Sequence, residues 1–255
     1  MSPDSAAAAF WAAFIRNRNV DERTADDGAL PVAGGYALYV AGTAFDHVLG
    51  AGRDRPLRPD DFAVVEEFYT ARGIAPSFNL DTESAERDAA LLAERGYRTD
   101  PASTLVVYER PVQALLPLAA ERSVVVRVTR DRRAWSTLMA QAQSDGAADD
   151  ALRRTLRFLA AGASVLTIAS LDGRDVGGGG ILLAGELALF VSGGVLPEVR
   201  RRGVHAALVA ARLEIAHERG ATRAAVKTRL GSPVERTAQR AGFARSALSV
   251  TATRG

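Results

Sequence analysis

The chain has no cysteine. A disulfide framework, a thiolate zinc site, an iron–sulfur cluster and a cysteine nucleophile are therefore excluded. Histidine is almost as scarce. His47, His205 and His217 lie far apart in sequence, so no histidine-rich metal site is expected. Lysine occurs only as Lys227, and nearly every cation is a guanidinium that stays protonated. Aromatic residues make up 6% of the chain, which argues against a stacking surface for single-stranded nucleic acid. The apolar run Ala6–Ile15 is too short to cross a bilayer, and Met1-Ser2-Pro3-Asp4 lacks the positive start of an export signal. A cytoplasmic location is the expectation.

What is present is ordinary globular material. The 255 residues are 47% apolar and 24% charged, unlike a disordered chain, a collagen-like chain or a coiled coil. The length suits one large domain or two small ones. With 32 basic and 30 acidic residues, the net charge of +2 gives weak general attraction for nucleic acid or anionic membranes. Neither is expected as a partner, and any anion site must come from local clustering.

Along the first half, Ser2 or Asp4 caps a helix with Phe10, Trp11, Phe14 and Ile15 on one face. That helix either docks a partner or packs on its own domain. A strand is expected over Tyr36–Val40, and a helix capped by Asp60 or Asp61 runs to about Arg72. A strand over Ile74–Leu80, one helix over Thr82–Arg95 and a strand over Leu105–Tyr108 complete this half. Pro111–Arg122 holds two prolines and no clear period, which puts the domain boundary there and gives domains 1–112 and 123–255.

The second half opens with the β-branched run Val124–Val128. Helices follow over Asp131–Gln143 and Asp149–Ala161, then an antiparallel meander over Ser164–Leu171, Val176–Leu183 and Leu187–Leu196. Gly177–Gly180 lies inside a strand pattern, so it reads as a bulge or a close strand approach. A helix spans about Val204–Arg219, with Val204, Leu208, Ala211 and Ile215 on one face. A strand over Ala224–Thr228, a helix opened by the capping box Ser232-Pro233-Val234-Glu235, and a strand over Ser246–Thr253 end the chain. Helix, Arg95-Gly96-Tyr97, strand is echoed by helix, Ala241-Gly242-Phe243, strand, a weak internal repeat.

The segment Val195-Leu196-Pro197-Glu198-Val199-Arg200-Arg201-Arg202-Gly203-Val204-His205 carries the chemistry. It follows a strand and opens a helix. The first turn of a helix presents free N–H groups and about half a positive charge. Gly203 lets the backbone approach a phosphate closely, and Arg200, Arg201 and Arg202 add guanidinium donors.

Read as Val-x-Pro-x-x-Arg-x-x-Gly-x-x, this segment resembles the acetyl-CoA-binding motif of the GCN5-related N-acetyltransferases. The resemblance covers about Ser123 to Arg254 in element order, with the first half a degenerate copy. It implies an α/β (α+β) fold with a mixed, mostly antiparallel central sheet flanked by helices, in two tandem copies. Acetyl-CoA is the implied co-substrate and a small-molecule amine or a peptide the implied acceptor. The cofactor would lie on Val195, Leu196, Pro197, Arg200, Arg201, Arg202, Gly203, Val204, His205 and Ala206, with Ser232 nearby. Pantetheine would enter where the strand ending at Leu196 splays from Ala224–Thr228, and a backbone N–H near Val195 would polarise the thioester carbonyl. Ser192 and Asp145 are the candidate catalytic residues.

Two departures stand out. His205 replaces the usual glycine or alanine, and Ala238 stands where many members carry a tyrosine acid. A catalytically silent CoA-binding or ligand-sensing protein is therefore the alternative function, and a homodimer is left open. In the first half, Asp60 and Asp61 would occupy the equivalent helix N-terminus and repel a phosphate, so no cofactor is expected there.

Overall fold

The structure is a computed structural model that describes residues 1–18, 24, 26–112, 123–144 and 148–254. Its strands are β1 (Gly28–Val32), β2 (Gly35–Tyr39), β3 (Val48–Leu49), β4 (Ser77–Asp81), β5 (Tyr97–Pro111), β6 (Val124–Thr129), β7 (Val165–Leu171), β8 (Arg174–Ala184), β9 (Leu187–Val195), β10 (Arg223–Arg229) and β11 (Ala244–Arg254). Its helices are α1 (Pro3–Asn17), α2 (Pro59–Thr70), α3 (Thr82–Arg87), α4 (Ala89–Glu94), α5 (Arg132–Gln143), α6 (Asp150–Gly162), α7 (Val204–Glu218) and α8 (Pro233–Arg240). This is the expected mixed, mostly antiparallel architecture flanked by helices.

The chain divides into two compact units, Met1–Val107 with Ser246–Gly255, and Tyr108–Arg245. Both differ from the expected 1–112 and 123–255 in the same way: each takes a strand segment from the far side of the division. β11 pairs antiparallel with β4, from Ser249 opposite Asp81 to Thr253 opposite Ser77. In the second unit the Val112 N–H donates to Thr222 O at 2.9 Å, and Arg223 pairs with Glu109 at 2.7 Å. Strand pairing is not local in sequence, so composition alone did not assign these segments. Residues 113–122, most of the expected linker, lie outside the described residues.

In the first unit, Phe62, Phe78 and Tyr97 form an aromatic triangle with centroids 5.2–5.3 Å apart, close enough for edge contacts. The buried Tyr69 hydroxyl donates to Leu38 O and accepts the Leu38 N–H, so α2 is pinned to β2 by both polar groups of one residue. Helix α1 is capped by Ser2, which accepts from Ser5 N–H at 3.1 Å. Its Trp11 and Ile15 are buried within their own unit, with Trp11 edge-on to Phe45 at 4.9 Å. The packed reading of this helix therefore holds.

Two local expectations are corrected. Helix α2 starts at Pro59 with Arg58 as its cap, so neither Asp60 nor Asp61 is the capping residue. Asp61 instead accepts the Arg58 N–H at 2.8 Å and takes both Arg55 Nη atoms at 2.7 Å, and these hold its carboxyl below the usual range. The expected single helix over 82–95 is broken at Asp88 into α3 and α4. The Asp88 carboxylate reaches out to Leu57 N–H at 3.0 Å and to Arg87, while the residue's φ of −96° and ψ of 10° interrupt the helix at that point.

In the second unit the strands run in the order β10-β9-β8-β7-β6. β10 is parallel to β9, and the others are antiparallel. Glycines in β8 admit helices to both faces. A Cβ on Gly178 would fall 2.7 Å from Thr167 O and 3.1 Å from Trp135 Nε1 of α5, whereas one on Gly179 would fall 2.8 Å from Arg212 Nη1 of α7. Neighbouring strand residues point to opposite faces, so α5 and α7 lie on opposite sides of this sheet. Trp135, Met139, Leu156, Ile168 and Leu208 are among its fully buried apolar side chains.

Candidate functional site

The turn between β9 and α7 is built as its sequence suggests. Val195 and Leu196 are buried in the core and anchor its start, and Leu196 N–H donates to Val176 O at 2.8 Å. Pro197–Val199 form one 3-10 turn, with the Val199 side chain buried beneath it. Arg201 and Gly203 then adopt φ of 67° and 73°, and Gly203 is the cap of α7 with no side-chain bond to the helix. The N–H groups of Val204, His205 and Ala206 have no acceptor in the helix, nor any other among the described residues. A left-handed glycine followed by three open N–H groups is a cradle for an anion.

The arginines of this turn differ from one another. The Arg200 guanidinium folds back at 3.4 Å onto Val195 O and Ala142 O. Arg202 lies 3.5 Å from Asp172. Both Arg201 and Arg202 are exposed, where they add positive potential beside the cradle.

Next to the turn, the sheet opens. The parallel pairing of β10 with β9 runs from Arg223 opposite Leu187 to Val226 opposite Phe190 and stops. Both strands continue beyond that point, to Val195 and Arg229. On its other edge β9 remains paired with β8, but with a bulge: Gly178 faces Gly194 and Gly180 faces Val191, which places Ser192 and Gly193 opposite the single residue Gly179. Ser192 sits in the left-handed region with φ 49°, a conformation a serine adopts only when its surroundings enforce it.

A cavity of about 250 Å³ occupies this opening. Phe190, Ser192 and Gly193 of β9 line it, with Val226, Lys227 and Thr228 of β10. His205, Val209 and Arg212 come from α7, Val234 and Ala238 from α8, and Gln143 and Phe243 close it. No carboxylate is among these residues. His205 and Arg212 both approach Gly193: a Cβ there would lie 3.4 Å from His205 Nε2 and 3.2 Å from Arg212 Nη2. Burial, with the charges of Arg212 and Arg240, pushes the His205 pKa down to about 4. The imidazole is therefore neutral at pH 7. Burial pushes the Arg212 guanidinium down to about 10, so it keeps its proton.

Of the candidate residues named from sequence, Ser192 and His205 meet at this cavity. Val195, Leu196, Pro197, Arg200–Arg202, Gly203, Val204 and Ala206 build the adjoining turn. Ser232 does not line the cavity; its Oγ accepts the Glu235 N–H at 3.0 Å and lies 2.9 Å from Thr228 Oγ1. Glu235 is only half of the expected capping box, because its carboxylate turns to Gly231 N–H and the Tyr108 hydroxyl. Asp145 lies outside the described residues. Sequence reasoning missed Phe190, Lys227, Thr228 and above all Arg212. For Arg212 a signal existed: it falls at the fourth-residue spacing from Val204 and Leu208, on the buried face.

Comparison with known proteins follows the same line. No protein-family model matches the sequence, and no curated protein matches it significantly. Solved structures do. A GCN5-related N-acetyltransferase from Kribbella flavida superposes with a TM-score of 0.70 at 18% identity, covering 100% of this chain and 96% of its own. A tandem protein of the same type from the clavulanic acid biosynthesis pathway gives 0.63 at 15% identity, covering 97% and 93%. A GCN5-related N-acetyltransferase from Sphaerobacter thermophilus gives 0.61 at 19%, covering 76% of this chain and 66% of its own. At these identities the likeness establishes the fold: the chain has the GCN5-related N-acetyltransferase fold, and the full-length matches include a tandem protein.

Proposed function

We propose that the second unit transfers an acetyl group from acetyl-CoA to a primary amine of its acceptor. The observation that carries this reading is the end of β9–β10 pairing at Phe190 and Val226, directly followed in the chain by the glycine-capped N-terminus of α7. An opened strand edge suits the amide-bearing pantetheine arm, and the open N–H groups of Val204, His205 and Ala206 suit a pyrophosphate. When bound, the thioester supplies an activated acyl carbon.

The residues of the chain divide the remaining work. The turn from Val195 to Ala206 holds the cofactor, with Arg201 and Arg202 drawing its phosphates. A backbone N–H of the bulged end of β9 stabilises the charge that develops on the acyl oxygen. The Ser192 hydroxyl, which lines the cavity, would orient the acceptor amine and pass its proton outward as the C–N bond forms and the C–S bond breaks, with CoA leaving as a thiolate that solvent protonates. Neutral His205 offers one N–H donor and one acceptor to the cofactor side of the cavity. In the first unit, Asp61 already occupies the N-terminal turn of α2, so that unit takes no cofactor.

A second reading is favoured by one observation. Ala238 presents a methyl group to the cavity where the resemblance would place a tyrosine acid, and among the described residues no carboxylate lines the cavity to act as a base. On that reading the protein binds CoA without turning it over. Calorimetric titration with acetyl-CoA, followed by thiol release across an amine panel, separates the two. One site per chain and release with at least one amine is the expected result. Binding without release for every amine selects the silent binder, and no binding at millimolar ligand overturns both.

A further inference from the structure

Arg212 is a cation in a place built for an apolar side chain. It stands on the buried face of α7 with 3% of its surface exposed. Its Nε donates to Leu208 O at 3.1 Å, and its guanidinium carbon lies 4.7 Å over the Phe190 ring. Among the described residues no acceptor meets Nη1 or Nη2, and no carboxylate pairs with the group. The guanidinium lines the cavity, and a positive charge held beside apolar walls there favours an anion.

The surroundings keep that end of the side chain open. A Cβ on Gly179 would lie 2.8 Å from Nη1, and one on Gly193 would lie 3.2 Å from Nη2. Both positions are glycine. The guanidinium lines the cavity together with Lys227, and among the described residues the cavity holds no acidic side chain. Neutral His205 adds no competing charge at pH 7. With Nε engaged by Leu208, the free edge is the Nη1–Nη2 pair, whose two parallel N–H directions match the two oxygens of a planar carboxylate. Phe190, Val209, Val226 and Phe243 provide apolar walls around a short carbon chain.

We infer that this cavity binds a carboxylate carried by one of the substrates, with Arg212 as its anchor. The inference rests on the acyl-transfer reading for the word substrate. The carboxylate belongs either to the far end of a dicarboxylic acyl group on CoA or to an amino-acid acceptor. Arg212 is a specificity-determining residue in either case.

The test is calorimetric, on the full chain and on Arg212→Gln and Arg212→Lys. In the first arm succinyl-CoA is compared with butyryl-CoA, which has the same chain length and no carboxylate. In the second arm amino acids are compared with the corresponding amino amides, with and without saturating CoA. A preference of tenfold or more for the carboxylate member in one arm is expected, and that arm identifies the source. Arg212→Gln removes the preference and Arg212→Lys keeps part of it. Gly179→Ala, which pushes Nη1 aside while leaving the charge, weakens it without deleting a cation. No preference by the natural protein in either arm overturns the inference, as does a preference that Arg212→Gln leaves intact. Failure of every CoA thioester and of CoA itself to bind overturns the acyl-transfer reading instead, and the amino-acid arm without CoA then decides the carboxylate question alone.

Discussion

The Tyr108 hydroxyl donates to Glu235 Oε1 at 2.5 Å and accepts from Gln239 Nε2 at 3.1 Å. A residue that opens the second unit is thereby tied to the helix α8 that nearly closes it. The bond from Tyr108 and the bond from Gly231 N–H hold the Glu235 carboxyl below its ordinary pKa. A carboxyl whose folded pKa is depressed stabilises the fold above its unfolded pKa and loses that contribution as pH falls through the folded value. Tyr108→Phe is therefore expected to lower the melting temperature at pH 7. The gap from the natural protein narrows as pH drops below the ordinary glutamate range. Melts at pH 7, 5 and 3 check this, and a gap that stays constant would show that the bond is not linked to the carboxylate.

His205 makes the opposite kind of pH statement. Its folded pKa, pushed to about 4, lies below the ordinary histidine value of 6.5. Between those values the unfolded chain binds a proton that the folded chain refuses, so stability falls as pH falls through this window. Above about pH 6.5 the effect vanishes. His205→Asn is expected to flatten the stability profile between pH 6.5 and 4, and proton NMR should show the imidazole untitrated at pH 6.

Gly203 tests the anion cradle. At φ 73°, Gly203→Glu combines left-handed backbone strain, about 1–2 kcal/mol, with a negative charge at the open N–H groups of α7. Acetyl-CoA affinity is expected to drop at least a hundredfold. Gly203→Asn tolerates the same backbone region without the charge and is expected to lose far less. Equal affinity in the glutamate variant and the natural protein would remove this turn from the cofactor site.

Gly178 tests packing. Gly178→Ala puts a methyl 2.7 Å from Thr167 O, the same carbonyl that accepts the buried Trp135 indole at 3.2 Å. Overpacking of this kind costs about 1–3 kcal/mol. Chemical denaturation should show that loss with the slope unchanged, whereas Gly173→Ala, whose added Cβ meets nothing within 4 Å, carries only the strain of its own φ 80°.

Much of the second unit was legible in the sequence, because its signals are local. The tight turn at Asp172-Gly173, the run Gly177–Gly180 and the passage from β9 through Gly203 into α7 each declare themselves within a few residues. The bulge at Ser192 follows from the glycines around it. What sequence did not reveal depends on partners distant in the chain. The break between α3 and α4 comes from Asp88 reaching Leu57, and the start of α2 from Arg55 and Arg58 meeting Asp61. The placement of β11 depends on β4, far upstream. The spacing of Arg212 from Val204 and Leu208 places it on the buried face, but nothing nearby in sequence says what its guanidinium meets there. Its complement is the missing side chain at Gly179, thirty-odd residues earlier, and only the folded sheet brings the two together.

The pairing of β11 with β4 also orders events in time. The first unit is the earlier to leave the ribosome, yet the strand that covers β4 is made 168 residues after it, Ser249 pairing with Asp81. At roughly 5–20 residues per second, β4 waits on the order of ten seconds with that edge open. An exposed strand edge is a site of mispairing, so this interval is a point of risk during synthesis. It also separates the place of a cut from the place of its damage. Removing the chain from Ser246 onward would injure the unit made first, while the unit Tyr108–Arg245 would lose none of its own residues.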